Sequence, residues 1–351
     1  MKAAVWYAKK DVRVMDVPEP PKPAAGWVKV KVQWCGICGS DLHEYLAGPI
    51  FIPTGEHPLT HRKSPLILGH EFCGKIVEVG EGVNNFKVGD RVAPDACQHC
   101  GECYYCMRQE YHMCVKLAFT GLMTDGAFAE YVNVPAELLY LLPDGVSDEA
   151  GALIEPISVG VHAVRKAPVK VGDTVVILGA GTIGLVTLQA ALVAGAGKVY
   201  VLEVAKARKE MAAKAGATAV FDPTEIDVVA KIKELTGGLG ADVAIECIGN
   251  KKTAPLAIQL IRKQGTAVMV GIFEEASELN FFEITANEKH VVGSLAYNGE
   301  FASTIAFLND GRIDARPLIT GKIKLADIVS KGFEELVNHK EQNIKIIVSP
   351  N

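Results

Sequence analysis

Thr174-Val175-Val176-Ile177-Leu178-Gly179-Ala180-Gly181-Thr182-Ile183-Gly184 is the stretch on which the architecture of this chain turns. An apolar strand runs into three glycines spaced G-x-G-x-x-G, and a helical run follows to about Ala194. The glycine spacing alone is weak evidence; strand, glycines and helix in that order are much stronger. Such glycines permit a tight turn, close approach of the backbone to a pyrophosphate, and tight packing of helix on strand. The opening of the helix supplies N–H groups and the positive end of its dipole. Gly179, Gly181, Thr182, Ile183 and Gly184 are therefore candidate dinucleotide-binding residues.

Downstream, Val199-Tyr200-Val201-Leu202 reads as a second strand ending at Glu203. That carboxylate lies about twenty positions past the glycines, where it can accept the adenosine ribose hydroxyls. It would repel a 2′-phosphate, so NAD is expected rather than NADP. Arg208, a little further on, joins the cofactor-binding candidates. The pattern then predicts helix 206–215, strand 218–221, helix 226–236, strand 242–247, helix 252–260 and strand 266–270, with Val291–Leu295 as a sixth strand. Alternation of this kind gives an α/β fold with a doubly wound parallel sheet, here spanning residues 154–294. Residues 295–351 show no further complete alternating unit, and Lys345-Ile346-Ile347-Val348 reads as a returning strand.

Upstream, residues 1–153 are β-rich. Val28, Val30, Val32 and Trp34 alternate with Lys29, Lys31 and Gln33, as on a half-buried strand. Cys35-Gly36-Ile37-Cys38-Gly39-Ser40-Asp41-Leu42-His43 follows, and its glycines predict a tight turn. A second cluster stands at Gly69-His70-Glu71. A lone cysteine is usually an inert core residue, but the rest of the chain argues for more here. Cys38 and His70 are expected to hold a catalytic metal, with Ser40 and His43 carrying a proton away. Glu155 is a third candidate ligand, since an acid among apolar neighbours needs a partner or a metal. Glu71 competes for that role or supports it. The Pro-rich loop over residues 45–65 is expected to wall the substrate pocket.

Cys100, Cys103, Cys106 and Cys114 fall within one short lobe, 97–114, at a spacing that can close around a tetrahedral structural zinc. Cys97 offers an alternative set with Cys100, Cys103 and Cys114. Nine cysteines are an odd number, five of them in this lobe, and no export signal precedes them. Metal binding in a reducing cytoplasm explains this better than disulfides. The net charge of −5 disfavours a nucleic-acid partner, and no apolar run reaches membrane-spanning length.

Gly36–His43, Gly69-His70-Glu71, the four-cysteine lobe and Gly179–Gly184, in that order, resemble the medium-chain zinc alcohol dehydrogenase family over essentially the whole chain. The resemblance implies a GroES-like catalytic domain (1–153 and 295–351) into which a Rossmann domain is inserted, with the active site in the cleft between. It also implies two zincs, NAD, an alcohol or ketone substrate, and a homo-oligomer, dimer or tetramer. Glu155 stands where the ethanol-oxidising branch has a cysteine, which resembles the polyol branch. Within that branch Trp34–Leu46 and Gly48–Pro53 are most similar to the butanediol-oxidising subgroup, implying 2,3-butanediol and acetoin, with sorbitol or L-threonine as alternatives. A metal-free quinone-reductase relative would lack Cys38, His70 and the cysteine lobe. A non-enzymatic zinc protein would have no use for Ser40, His43 and the glycine motif together.

Overall fold

The computed structural model describes residues 1–350. The chain forms two units: Met1–Glu155 together with the segment from Phe301 to the C-terminus, and Pro156–Glu300. The sequence-based boundaries at 153/154 and 294/295 thus shift to 155/156 and 300/301. The second shift has a local cause. The Ser294 N–H donates to Met269 O (2.9 Å), and Glu300 accepts from Arg165 (2.9 Å) and pairs with His162 (3.1 Å). Residues 294–300 are therefore tied to the second unit.

The first unit is built on a mixed sheet whose central strand is Trp27–Gly36. Glu71–Val79 and, further along, Lys345–Ser349 pair with it antiparallel. Val28, Val30 and Val32 enter the core as the alternation predicts, but Trp34 does not. A register shift between Val32 and Trp34 turns the strand over, so Cys35 is buried and Trp34 lies beside Lys322. A bulge of this kind inserts one residue and reverses the face of everything after it. The C-terminal segment also differs from expectation. Ile319–Lys324 is a strand parallel to Lys345–Ser349, with helical turns between them, so residues 295–351 do hold a strand–helix–strand unit. Its sequence, Ile-Thr-Gly-Lys-Ile-Lys, is half polar and carries a glycine, which hides it from an apolar-run criterion.

The second unit holds a six-stranded, wholly parallel sheet. In spatial order the strands are Ala219–Phe221, Lys198–Leu202, Thr174–Leu178, Ala241–Glu246, Ile261–Met269 and His290–Gly293. Val175, Val176, Ile177 and Leu178 are all buried, which is why this strand is continuously apolar: helices cover both faces. The chain reverses direction of winding at Thr174–Leu178, and the crevice beyond the carboxyl ends there is where such sheets take ligands.

Hydrogen bonds and charge fix Glu300. Burial pushes its carboxyl up, but His162, the Asn298 N–H and Arg165 together outweigh this and hold it at about 2. A depressed carboxyl contributes stability that is present above its unfolded value of about 4.3 and is lost as pH falls toward the folded one. Glu300→Gln should therefore lower the melting temperature at pH 7, and the gap to wild type should close between about pH 4.5 and 2. A gap that stays constant over that range would show that Glu300 acts through packing alone.

Candidate metal and cofactor sites

Cys38, two residues beyond the central strand, caps a helix, Gly39–Ala47. The expected tight turn is thus the first turn of a helix. Asp41 explains it: three residues after the cap, its carboxylate accepts the Cys38 N–H (2.9 Å), the reciprocal bond of a capping box. Ser40 and His43 then sit at i and i+3, on one side of the helix. Ser40 is buried and its Oγ lies 3.2 Å from His70 Nε2, whereas His43 is half-buried.

The strand Glu71–Val79 starts directly after His70. The donor atoms of Cys38, His70 and Glu71 all lie within 4.8 Å of one another. Glu155 is outside that set. It is buried in the first turn of the helix Ile154–Lys166 and close enough to act electrostatically on Cys38. Thiolate, imidazole and carboxylate are the donors that suit zinc. The surroundings suit it as well. Burial pushes the Cys38 thiol well above its usual range, with Glu71 adding to this, and a metal cation is what stabilises the thiolate in such a place. Asp41 Oδ1 and His70 Nδ1 are buried, 3.7 Å apart, and make no hydrogen bond. A carboxylate facing the second nitrogen of a ligand histidine is the usual support of a metal-bound imidazole. Burial pushes the Asp41 carboxyl up to about 6, against the pull of His70.

Two of these neighbours escape a reading of motifs. Asp41 has a local signal, the cap-to-carboxylate spacing. Lys345 has none, because it meets Glu71 only through strand pairing, 274 residues away. Its ammonium donates to both Glu71 oxygens and to Ile37 O, each at 2.7 Å. Burial alone would favour the neutral amine, but Glu71, Cys38 and Glu155 together outweigh it and the ammonium is held charged. Glu44, on the same helix as Ser40, is also buried. It accepts the N–H groups of Ile50, Phe51 and Ile52 and so fixes the start of the Pro-rich loop.

In the lobe, the sulfurs of Cys100, Cys103, Cys106 and Cys114 come together, with neighbouring pairs 3.5–3.9 Å apart. Four sulfurs at about 2.3 Å from a tetrahedral zinc stand about 3.8 Å from one another. Backbone N–H groups of Cys106 and Val115 hold the Cys103 thiol down at about 6. Cys97 is buried on a short strand paired with Ala118–Phe119 and lies outside the set.

In the second unit, Gly179 adopts φ +95°, and a side chain on Gly184 would run into the Gly179 carbonyl at 1.9 Å. The tight turn therefore requires both glycines. Gly181 caps the helix Thr182–Val193, and Gly181, Thr182 and Ile183 are half-buried at its opening. Glu203, buried beyond the neighbouring strand, accepts N–H groups from Ala180 (2.8 Å), Val204 and Ala205. The Arg208 guanidinium comes within 3.7 Å of where a Gly181 side chain would begin. Carboxylate and cation thus lie directly beside the glycine turn and the helix opening.

A cluster that could hold a metal in one unit and a glycine turn opening a helix of a parallel sheet in the other are the parts expected of a metal-dependent oxidoreductase. Comparison with known proteins agrees. Residues 24–144 match the alcohol dehydrogenase GroES-like domain and residues 182–310 the zinc-binding dehydrogenase domain. The chain is 44% identical to (R,R)-butanediol dehydrogenase of Bacillus subtilis, covering all of both chains, and 36% identical to sorbitol dehydrogenase of the same organism, covering 100% and 98%. The crystal structure of 2R,3R-butanediol dehydrogenase from Bacillus subtilis superposes with a TM-score of 0.94 at 43% identity, over 100% of this chain and 99% of that one. The chain belongs to the zinc-dependent alcohol dehydrogenase family and is an enzyme. No helix among the described residues is long and apolar enough to cross a membrane.

The two clusters should respond differently to loss of a ligand. Cys38→Ser and Cys103→Ser are each expected to remove one bound metal. Cys38→Ser should abolish turnover in a protein that still melts cooperatively near the wild-type temperature. Cys103→Ser should lower that temperature and promote aggregation, because a closed four-thiolate site is coupled to local folding. Metal analysis with calorimetry checks this, and full activity in metal-free protein would refute it.

Proposed function

We propose that the chain is an NAD-linked dehydrogenase with two zincs, one held by the lobe cysteines and one by Cys38 and His70, interconverting 2,3-butanediol and acetoin. What carries the reading is the buried Cys38–His70–Glu71 cluster with Ser40 beside it, in a chain similar over its full length to (R,R)-butanediol dehydrogenase. Bound zinc supplies Lewis acidity and bound nicotinamide accepts or gives the hydride. The protein's part is orientation and proton movement. Asp41 aligns the His70 ring. Ser40 Oγ takes the proton of the reacting hydroxyl and hands it toward His43, whose half-exposed ring passes it to water. Glu155, with Glu71 in support, offers a carboxylate to the second hydroxyl of a vicinal diol. The loop anchored by Glu44 presents Ile50 and Phe51, whose apolar surface suits methyl-bearing substrates better than a sugar alcohol.

We also propose a homo-oligomer, favoured by exposed Phe281 and Phe282 near the edge strand His290–Gly293. A cytoplasmic setting suits nine cysteines that form no disulfide.

Sorbitol is the second reading, favoured by the similarity to a sorbitol dehydrogenase. The assay that separates the two is kcat/KM with NAD. It should rank 2,3-butanediol above 2-butanol, and both above sorbitol and L-threonine, because a site built for a second oxygen penalises its loss strongly. Sorbitol outranking 2,3-butanediol would transfer the assignment to polyols.

Glu203 carries the cofactor preference. Glu203→Ala removes an acceptor and a repulsive charge. It should raise KM for NAD about tenfold or more, since a hydrogen bond to a charged group is worth about 1.5–3 kcal/mol, and should improve the use of NADP. A wild-type enzyme that prefers NADP in kcat/KM would contradict this.

A further inference from the structure

We propose that an open groove of about 420 Å³, lined by Trp34, Lys322, Lys324, Asp327, Lys331 and Ser349, binds a nucleoside phosphate. All of these residues belong to the first unit, so the groove is not the glycine turn of the second. None of them is a candidate metal ligand, and the proposal stands apart from the reading of metal and substrate.

Three departures from regular backbone build the groove. The register shift between Val32 and Trp34 turns the indole out of the core, and re-aiming a side chain is a common use of a bulge. On the edge strand Ile319–Lys324 a second shift, between Ile319 and Gly321, precedes Lys322 and Lys324. These two lysines lie two apart and so share a face. Lys324 is paired with Ser349, one residue past the Val348–Cys35 pair, so Lys324, Ser349 and Trp34 stand in a row across three strands. The third departure is Ile328–Phe333, which winds as a π-helix and carries Lys331. Such turns are rare and recur at functional sites. Each irregularity gives up regular hydrogen bonding, and all three deliver side chains to one place.

The lining sets three ammoniums against one carboxylate, on a chain whose net charge is −5, so the groove attracts anions locally. All three lysines are exposed. Lys322 reaches Glu149 (3.1 Å) and stands 5.9 Å from the centre of the Trp34 ring. Lys331 reaches Asp327 (3.1 Å), and Lys324 forms no ion pair with any described residue. Exposed pairs of this kind are weak, and a phosphate takes over such ammoniums readily. A simple anion would use the lysines and leave Trp34 and Asp327 idle. A nucleoside phosphate uses them all. Its base stacks on the indole, its phosphate oxygens meet the ammoniums, and Asp327 accepts the ribose hydroxyls, as a strand-end carboxylate does in a dinucleotide site.

The test is photolabelling of the full-length enzyme with 8-azido-ADP, mapped by peptide mass spectrometry. Label is expected on the peptides that hold Trp34 or Lys322–Lys331, besides any taken up at the glycine turn. Label confined to the second unit would overturn the proposal. Lys324→Glu combined with Lys331→Glu changes two exposed positions, so the variant folds whether or not the site exists. It should cut groove labelling about tenfold or more, and leave labelling of the second unit unchanged. Trp34→Leu, which keeps an apolar side chain, should cut groove labelling by about tenfold through loss of stacking. Groove labelling at the wild-type level in the double lysine variant would overturn the proposal. Unlabelled ADP should protect the groove, and inorganic phosphate at the same concentration should not. Equal protection by phosphate would make the groove a patch for any anion and overturn the nucleoside assignment.

Discussion

A buried concentration of acid is the constraint around which the first unit is arranged. Asp41 and Glu71 are inaccessible to water, Glu155 is nearly so, and the Cys38 thiol lies among them. Burying a charge without a partner is among the most expensive things a fold can do. Two cations answer this crowding. One is Lys345, supplied by the C-terminal strand. The other, on our reading, is the metal. Each is needed because neither alone balances so many acidic groups. Removing one partner of a buried ion pair costs about 3–5 kcal/mol, far more than an exposed pair is worth. The C-terminal strand is therefore part of the site as well as part of the sheet.

The geometry that permits this arrangement is set by strand register. Glu71 and Lys345 are far apart in sequence and meet because their strands flank the same central strand at Gly36. The helix that begins at Gly39 adds Ser40 and His43 at helical spacing, and its own capping requirement places Asp41 against His70. One carboxylate thus both starts a helix and faces an imidazole. Glu44, further along that helix, binds the backbone of the adjoining loop. The proposed proton relay, the carboxylate facing His70 and the anchor of the adjoining loop all issue from a single short helix. The second unit repeats the economy in another form: Glu203 receives the N–H of Ala180, inside the glycine turn itself.

The parallel sheet was plain in the sequence because each strand is a short apolar run and each helix follows at regular spacing, so local pattern and fold agree. Cys38, His70 and the lobe cysteines were plain because their residue types are rare and their spacing is chemically restrictive. What the sequence concealed was set by distant pairing. The bulge after Val32 turned Trp34 away from the core, and no propensity at Trp34 signals that. Ile319–Lys324 was missed because an edge strand with polar residues and a glycine lacks the apolar signature. Lys345 reads as an ordinary strand-end lysine until its strand is paired. The turn expected after Gly36 was a helix start, which the Cys38-to-Asp41 spacing did encode.

The central claim is that this fold holds two chemically different zinc sites, one all-thiolate and one with a single thiolate. X-ray absorption at the zinc edge of the fully loaded enzyme measures this directly, since sulfur and nitrogen or oxygen shells lie at about 2.3 Å and about 2.0–2.2 Å. Five thiolates over two metals predict an average of about 2.5 sulfurs per zinc, with the remaining ligands in the shorter shell, and Cys38→Ser should leave a pure four-sulfur signal. A four-sulfur signal already in the wild-type enzyme, with one zinc per chain, would contradict the account.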